Sequence, residues 1–144
     1  MIRFEVRGHP ITQGSMRAFV NRYTGRAAVT SSNQSKMQLW RHAVSDEARK
    51  ARETANVEMF AGPVAVSVEF RLARPASAPK RRITWPIGAR SGDVDKLARA
   101  VLDALTGVLF VDDSQVTRLQ VSKLWGEPGA TVLVGSHERI PYMF

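Results

Sequence analysis

The sequence contains no cysteine, which removes disulfides, thiolate nucleophiles and Cys-ligated zinc, and leaves nothing that requires an oxidising compartment. Its three histidines, His9, His42 and His137, stand far apart without zinc-ligand spacing. No apolar run approaches the length of a bilayer span. Met1–Arg7 sets charges among its apolar residues, where a secretory leader would carry a continuous apolar block. The expected location is therefore the cytoplasm, with no membrane partner. There is no glycine-rich phosphate loop, dinucleotide fingerprint or nucleophile elbow, so nothing points to a small-molecule substrate. Acids are scarce too: 13 Asp and Glu face 21 Lys and Arg, a net charge of +8. A chain of 144 residues, 44% hydrophobic, suits one core and a single domain over 1–144.

The few acids are unevenly placed. Residues 93–113 hold five (Asp93, Asp95, Asp103, Asp112, Asp113) against two bases (Lys96, Arg99), so this segment is −3 and the remaining 19 bases and 8 acids are +11. A basic excess favours polyanions, nucleic acid first, although a membrane surface or solubility accounts for the same total. An acidic patch in such a chain would repel DNA unless divalent cations neutralised it, and Asp oxygens plus substrate phosphates are the usual way to hold Mg²⁺. The plainer reading makes the acids helix caps and turn formers, and for any one Asp it is the commoner role.

Periodicity supplies the elements. Ile2, Phe4 and Val6 alternate with charges as in a half-buried strand. Arg17–Val20 and Arg26–Thr30 flank a turn through Gly25, a hairpin carrying Arg17, Arg22 and Arg26. Ser31, Ser32, Asn33 and Ser35 offer caps to a helix reaching about Asn56, with Met37, Trp40, Val44, Ala48, Ala51 and Ala55 on its core face. Val64 to Leu72 alternate as a central strand with one face on the core. Residues 73–92 lack periodicity and contain Pro75, Pro79 and Pro86, so a flexible loop is expected there. Between Arg71 and Arg90 this stretch has six bases and no acid: Arg71, Arg74, Lys80, Arg81, Arg82 and Arg90. With Trp85 among them they form a candidate DNA-contacting flap, or else a solvated linker.

Asp93–Leu105 reads as a helix with Val94, Leu97, Val101 and Leu105 on one stripe and Asp95, Arg99 and Asp103 on another. Gly107 stops it. Val108–Val111 reads as a short strand, Asp112–Ser114 as a turn, and Val116–Trp125 as a strand presenting Thr117, Leu119, Val121, Lys123 and Trp125 on one face. A turn through Gly126–Gly129 then makes a hairpin with Thr131–Gly135. If the short strand lies beside the helix start, Asp113 joins Asp93 and Asp95. Converging carboxylates raise one another's pKa unless a cation relieves them, and Arg99 and Lys123 would add positive charge for a transition state.

The ordered run Asp93-Val94-Asp95-Lys96-Leu97-Ala98-Arg99, then Leu102-Asp103-Ala104-Leu105-Thr106-Gly107, then Asp112-Asp113-Ser114-Gln115-Val116 and Lys123 resembles the RusA family of Holliday-junction resolvases. Gly8-His9-Pro10 and Gln13-Gly14-Ser15 are similar to that family's opening. The resemblance implies an α+β fold, a two-layer mixed sheet with two main helices, in a homodimer. It also implies Mg²⁺-dependent paired nicking of four-way junctions in DNA recombination and repair, with Mn²⁺ able to substitute. Asp93, Asp95 and Asp113 would be the metal ligands, and Arg99 stands where the family commonly has a catalytic Lys. Arg17, Arg22, Arg74, Lys80, Arg81, Arg82, Arg90 and Lys96 would contact DNA. Lys96 replaces a usual Asn, and Ser91-Gly92 replace arginines before Asp93. Two rival readings are a non-catalytic DNA-binding module and a nuclease for flaps or forks. The ending Ile140–Phe144 would suit either a dimer interface or a docked terminus.

Overall fold

The computed structural model describes residues 1–13, 16–20, 27–31 and 34–138, with backbone alone over 16–20, 27–31 and at Gln34. The alternation at the start of the chain forms strand β1 (Ile2–Arg7), with Ile2, Phe4 and Val6 buried and Arg3, Glu5 and Arg7 exposed. The expected hairpin is present as β2 (Met16–Val20) and β3 (Ala27–Ser31), an antiparallel pair apart from the main sheet. Helix α1 (Gln34–Ala55) follows. Met37, Trp40, Val44 and Ala48 are buried, Ala51 is half-buried and Ala55 is exposed at its end. Caps at Ser32 and Asn33 and the ending Ile140–Phe144 lie outside the described residues.

The main sheet has the order β1-β6-β4-β5, where β4 is Val64–Leu72, β5 Val116–Trp125 and β6 Gly129–Ser136. β6 is antiparallel to both β1 and β4, whereas β5 runs parallel to β4. A parallel neighbour needs a crossover, and α2 (Val94–Leu105) lies in that connection. Both helices cover one face of the sheet. Trp40, Val44 and Ala48 of α1 and Leu97, Val101 and Leu105 of α2 share one core with Ile2, Phe4, Val6, Val66, Val68, Phe70, Val132 and Val134. The result is the expected two-layer α+β arrangement. The Ser45 hydroxyl donates to the Ala104 carbonyl at 2.7 Å and fixes one helix against the other.

Four expectations need correction. β5 and β6 do not form a hairpin, because β4 lies between them. The link from Trp125 to Gly129 passes over the end of β4, where the Gly126 amide donates to the Leu72 carbonyl at 2.9 Å. Local sequence shows a turn between antiparallel strands but not whether a third strand fits between them. Val108–Val111 is not a strand either: Leu109 and Phe110 are fully buried, and Phe110 makes only isolated bridges to Phe60 and Thr106. An apolar tetrapeptide serves as a core plug as readily as a strand. Third, a bulge opposite Val64 and Ala65 shifts the phase of β5, so Val116 packs on the core while Thr117 is exposed. From Leu119 to Trp125 the expected face holds, and it brings Lys123 opposite Phe70 on the helix-covered side.

Fourth, β4 is central as expected, but Val64 to Val68 are buried on both faces. Away from the helices, Arg71 donates to Glu5 Oε2 at 2.8 Å and to Thr131 Oγ1 at 2.7 Å, and Thr131 donates to Glu5 Oε1 at 2.7 Å. This network ties β1, β6 and β4 together across the strands. Because Phe110 fills the core beneath the acid-bearing turn without a ladder to hold it, Phe110→Ala is expected to lower unfolding free energy by about 3–5 kcal/mol. Urea denaturation followed by circular dichroism measures the change.

Candidate active site

The acids of 93–113 separate into engaged and unengaged groups. Asp93 is the N-cap residue of α2, yet its side chain makes no capping hydrogen bond. Its carboxylate is 69% exposed and stands 3.6 Å from Lys96 Nζ, an exposed i,i+3 pair of small energetic worth. Asp95, in the first turn of α2, is exposed and makes no hydrogen bond or ion pair among the described residues. Asp112 is the structural acid: it accepts from the Ser114 amide at 3.2 Å at the head of a single 3₁₀ turn, Asp113–Gln115. Capping thus explains Asp112 but does not account for Asp93 or Asp95.

Gln115, to which sequence reasoning gave no role, completes that turn. Its Oε1 accepts from the Val111 and Asp112 amides, and its Nε2 donates to the Phe60 and Gly62 carbonyls. One side chain therefore clamps the Asp112-Asp113 turn to the segment entering β4. The signal was legible as an acid followed three residues later by Gln, the pattern of a capping box.

Asp113 lies against the middle of α2. Its pKa is raised, first by desolvation, then by a hydrogen bond and repulsion from Asp112 and repulsion from Asp103, with Arg99 acting in the opposite sense. Asp112 is lowered, chiefly by the Ser114 amide and then by Asp113. Asp112 is thus the stronger acid of the pair and Asp113 the weaker. Asp113 faces the stripe that carries Asp95, Arg99 and Asp103, at the level of its last two members.

The other end of the stripe is set by Lys123. Its ammonium donates to the Ser91 hydroxyl at 2.9 Å and to the Gly92 carbonyl at 2.7 Å, fastening β5 to the residues before Asp93. Ser91 also donates toward the Pro86 and Gly88 carbonyls. Gly92 has φ +84, and an added Cβ would come within 2.4 Å of Thr12 Cγ2, so the N-terminal segment closes on the helix start. The Gln13 amide donates to the Lys96 carbonyl at 3.1 Å from the same segment. Ser91 and Gly92, notable in the sequence as missing arginines, are the anchor of this end.

Among the expected DNA contacts, Arg74, Lys80, Arg81 and Arg82 gather around one cavity with Trp85 and Trp125, and Arg90 is exposed in a 3₁₀ turn. Lys96 is occupied with Asp93. Arg17 lies in β2 with its side chain undescribed, and Arg22 lies outside the described residues. Within the loop expected to be flexible, Ser91 donates to the Pro86 carbonyl at 2.9 Å, and Thr84 Oγ1 accepts from the Trp125 indole at 3.0 Å.

Among the described residues, no three His, Asp or Glu side chains stand together as a ready-made cation cage. The donors available are hard carboxylate oxygens, Asp93 and Asp95 at one end of the stripe and Asp113 alongside it. That set fits Mg²⁺, which usually takes one or two carboxylates and completes its shell with water and substrate phosphate. Among the described residues, no helix is long and apolar enough to cross a membrane.

The chain is thus a basic α+β domain with exposed carboxylates on one helix and one turn. The family model for endodeoxyribonuclease RusA matches residues 8–135, and the chain belongs to that family. It is also similar to the uncharacterized protein YqaN of Bacillus subtilis (strain 168), at 28% identity over 141 residues, covering 92% of this chain and 94% of the relative.

The direction of the Asp113 shift fixes the sign of a pH effect. A carboxyl raised in the folded state loses stability as pH climbs from the ordinary carboxylate range through its raised value. Asp113→Asn is therefore expected to raise the melting temperature of the cation-free protein at pH 7, with the gain vanishing at about pH 3, below the ordinary value of about 3.9. Thermal melts at the two pH values check it.

Proposed function

We propose that this protein is a Mg²⁺-dependent, structure-selective endodeoxyribonuclease that resolves four-way DNA junctions by paired nicks, acting as a cytoplasmic homodimer in recombination and repair. The observation that supports the proposal is that Asp113 interacts with Arg99 and Asp103 of α2, the helix whose first turn carries Asp95, within a chain that is otherwise strongly basic. An acidic strip in a cationic envelope is costly when bare and useful when phosphate and cation arrive together.

In this proposal Asp93, Asp95 and Asp113 hold the cation. When bound, Mg²⁺ or Mn²⁺ polarises the scissile phosphate and lowers the pKa of the attacking water. Arg99, one turn after Asp95, balances charge that builds on the phosphate; its guanidinium binds oxygen well but does not donate a proton. Lys123 holds the start of α2 in place through Ser91 and Gly92, which sets where Asp93 and Asp95 point. Arg74, Lys80, Arg81, Arg82 and Arg90, with Arg17, Arg22 and Lys96, supply the cationic track. A two-fold enzyme presents paired sites to a pseudo-two-fold junction, which supports the dimer.

Purified protein is expected to nick a synthetic four-way junction only when Mg²⁺ or Mn²⁺ is added. Asp95→Asn should still bind the junction but cut it at least about 100-fold more slowly, the upper end of what even an outer partner of a metal contributes. Junction binding without any cation-dependent product would leave a non-catalytic module. Faster cutting of flaps or forks than of junctions at one salt concentration would reassign the substrate.

Lys123 tests the same arrangement from a different direction. Lys123→Met keeps the stem and removes the two hydrogen bonds, so it should lower cleavage while leaving junction binding within about twofold, since one cation among many is lost. Gel-shift and single-turnover measurements on the same junction separate the two effects.

A further inference from the structure

The geometry points to a second site on this protein: a pocket for a single unpaired nucleotide, walled by Trp85 and Trp125 and rimmed by Arg74, Lys80, Arg81 and Arg82. It rests on reading the chain as an enzyme of DNA, and it concerns how such an enzyme selects distorted strands over intact duplex.

Arg74 and residues 80–85 line, with Leu124 and Trp125 of β5, an open cleft of about 460 Å³, within the range of small-molecule sites, roughly 300–1,000 Å³. Trp125 forms a fixed wall. Its indole N–H is satisfied by Thr84 Oγ1 at 3.0 Å, so the ring is held with its polar atom already partnered. The loop rim is closed by Arg74 Nη2 donating to the Arg82 carbonyl at 3.4 Å. Trp85 is 56% exposed, whereas Trp40 of the core is 3% exposed. A large indole left in water beside a second one is difficult to explain by packing, since the core is complete without it. Among the described residues, no acid lines the cavity.

Aromatic faces beside guanidinium and ammonium groups, with no counter-charge, suit a planar π ring that carries an anionic substituent. A nucleotide has that chemistry: bases stack on aromatic side chains regardless of sequence while cations follow the backbone. Paired duplex offers its phosphates but hides its base faces, so only an unpaired or extruded nucleotide can use the indoles. The pocket also lies close to the cleaving end of the site. Trp125 and Lys123 project from the same face of β5, two residues or about 7 Å apart, and Lys123 is bonded to Gly92 immediately before Asp93.

The test uses the full chain without divalent cation and follows its tryptophan fluorescence as short oligothymidylate is added, alongside a blunt duplex of matched phosphate number. Oligothymidylate should quench the wild type. Trp85→Ala should weaken its binding roughly 5- to 150-fold, the loss of one stacked base, while Trp85→Phe stays within a few fold of wild type and duplex binding changes little for either variant. Equal binding of oligothymidylate by Trp85→Ala and wild type, or an equal loss on duplex, would overturn the pocket even if the protein cuts junctions well. Trp85-dependent binding in a protein that cuts no branched DNA with any divalent cation would keep the pocket and remove the nuclease proposal.

Discussion

The Lys123 ammonium bonds at once to the Ser91 hydroxyl and the Gly92 carbonyl, and through that one contact the parallel strand β5 sets where helix α2 begins. Ser91 in turn engages the Pro86 and Gly88 carbonyls, so the basic segment takes its position from the same point. Without it the start of α2 would rest on the packing of Leu97, the close approach of Thr12 to Gly92 and the Gln13 amide donating to the Lys96 carbonyl. The acids at the helix start and the aromatic pocket beyond Trp125 both depend on this bridge, one on each side.

The acids of this region are divided by local geometry. Asp112 gives its carboxylate to the Ser114 amide, and Gln115 holds the turn to the strand entry, so that turn is rigid for reasons internal to it. Rigidity at Asp112 forces Asp113 toward Asp103 and Arg99, where burial and repulsion raise its pKa. Asp93 and Asp95 stand at a helix N-terminus without serving as side-chain caps. Together with Asp113 they make an exposed acidic segment of net charge −3 within a chain that carries +11 elsewhere.

Much of this was legible in one dimension. Strict alternation gave β1, the spacing of Met37, Trp40, Val44 and Ala48 gave α1, and Leu97, Val101 and Leu105 gave α2, because a side chain's face follows directly from the period of the backbone. The Asp112–Gln115 capping box was also written locally. The missing β5–β6 hairpin and the Leu109–Phe110 plug were not, since a strand inserted between two others, or a turn buried by distant packing, leaves no mark on neighbouring residues. Nor did the sequence give a reason for Ser91 and Gly92 beyond their not being arginines; their value is as acceptors for a lysine 31 to 32 residues away.

By itself the sequence determined the periodic elements, the basic excess, the acidic segment and the family, because each is a property of neighbouring residues or of their order. Only the tertiary structure decided which acids are engaged, that Asp113 meets Arg99 and Asp103 instead of a finished cage with Asp93 and Asp95, and that two tryptophans 40 positions apart share one cavity. Those are matters of long-range register, set when β5 aligns with β4 beneath α2, and no local pattern encodes them.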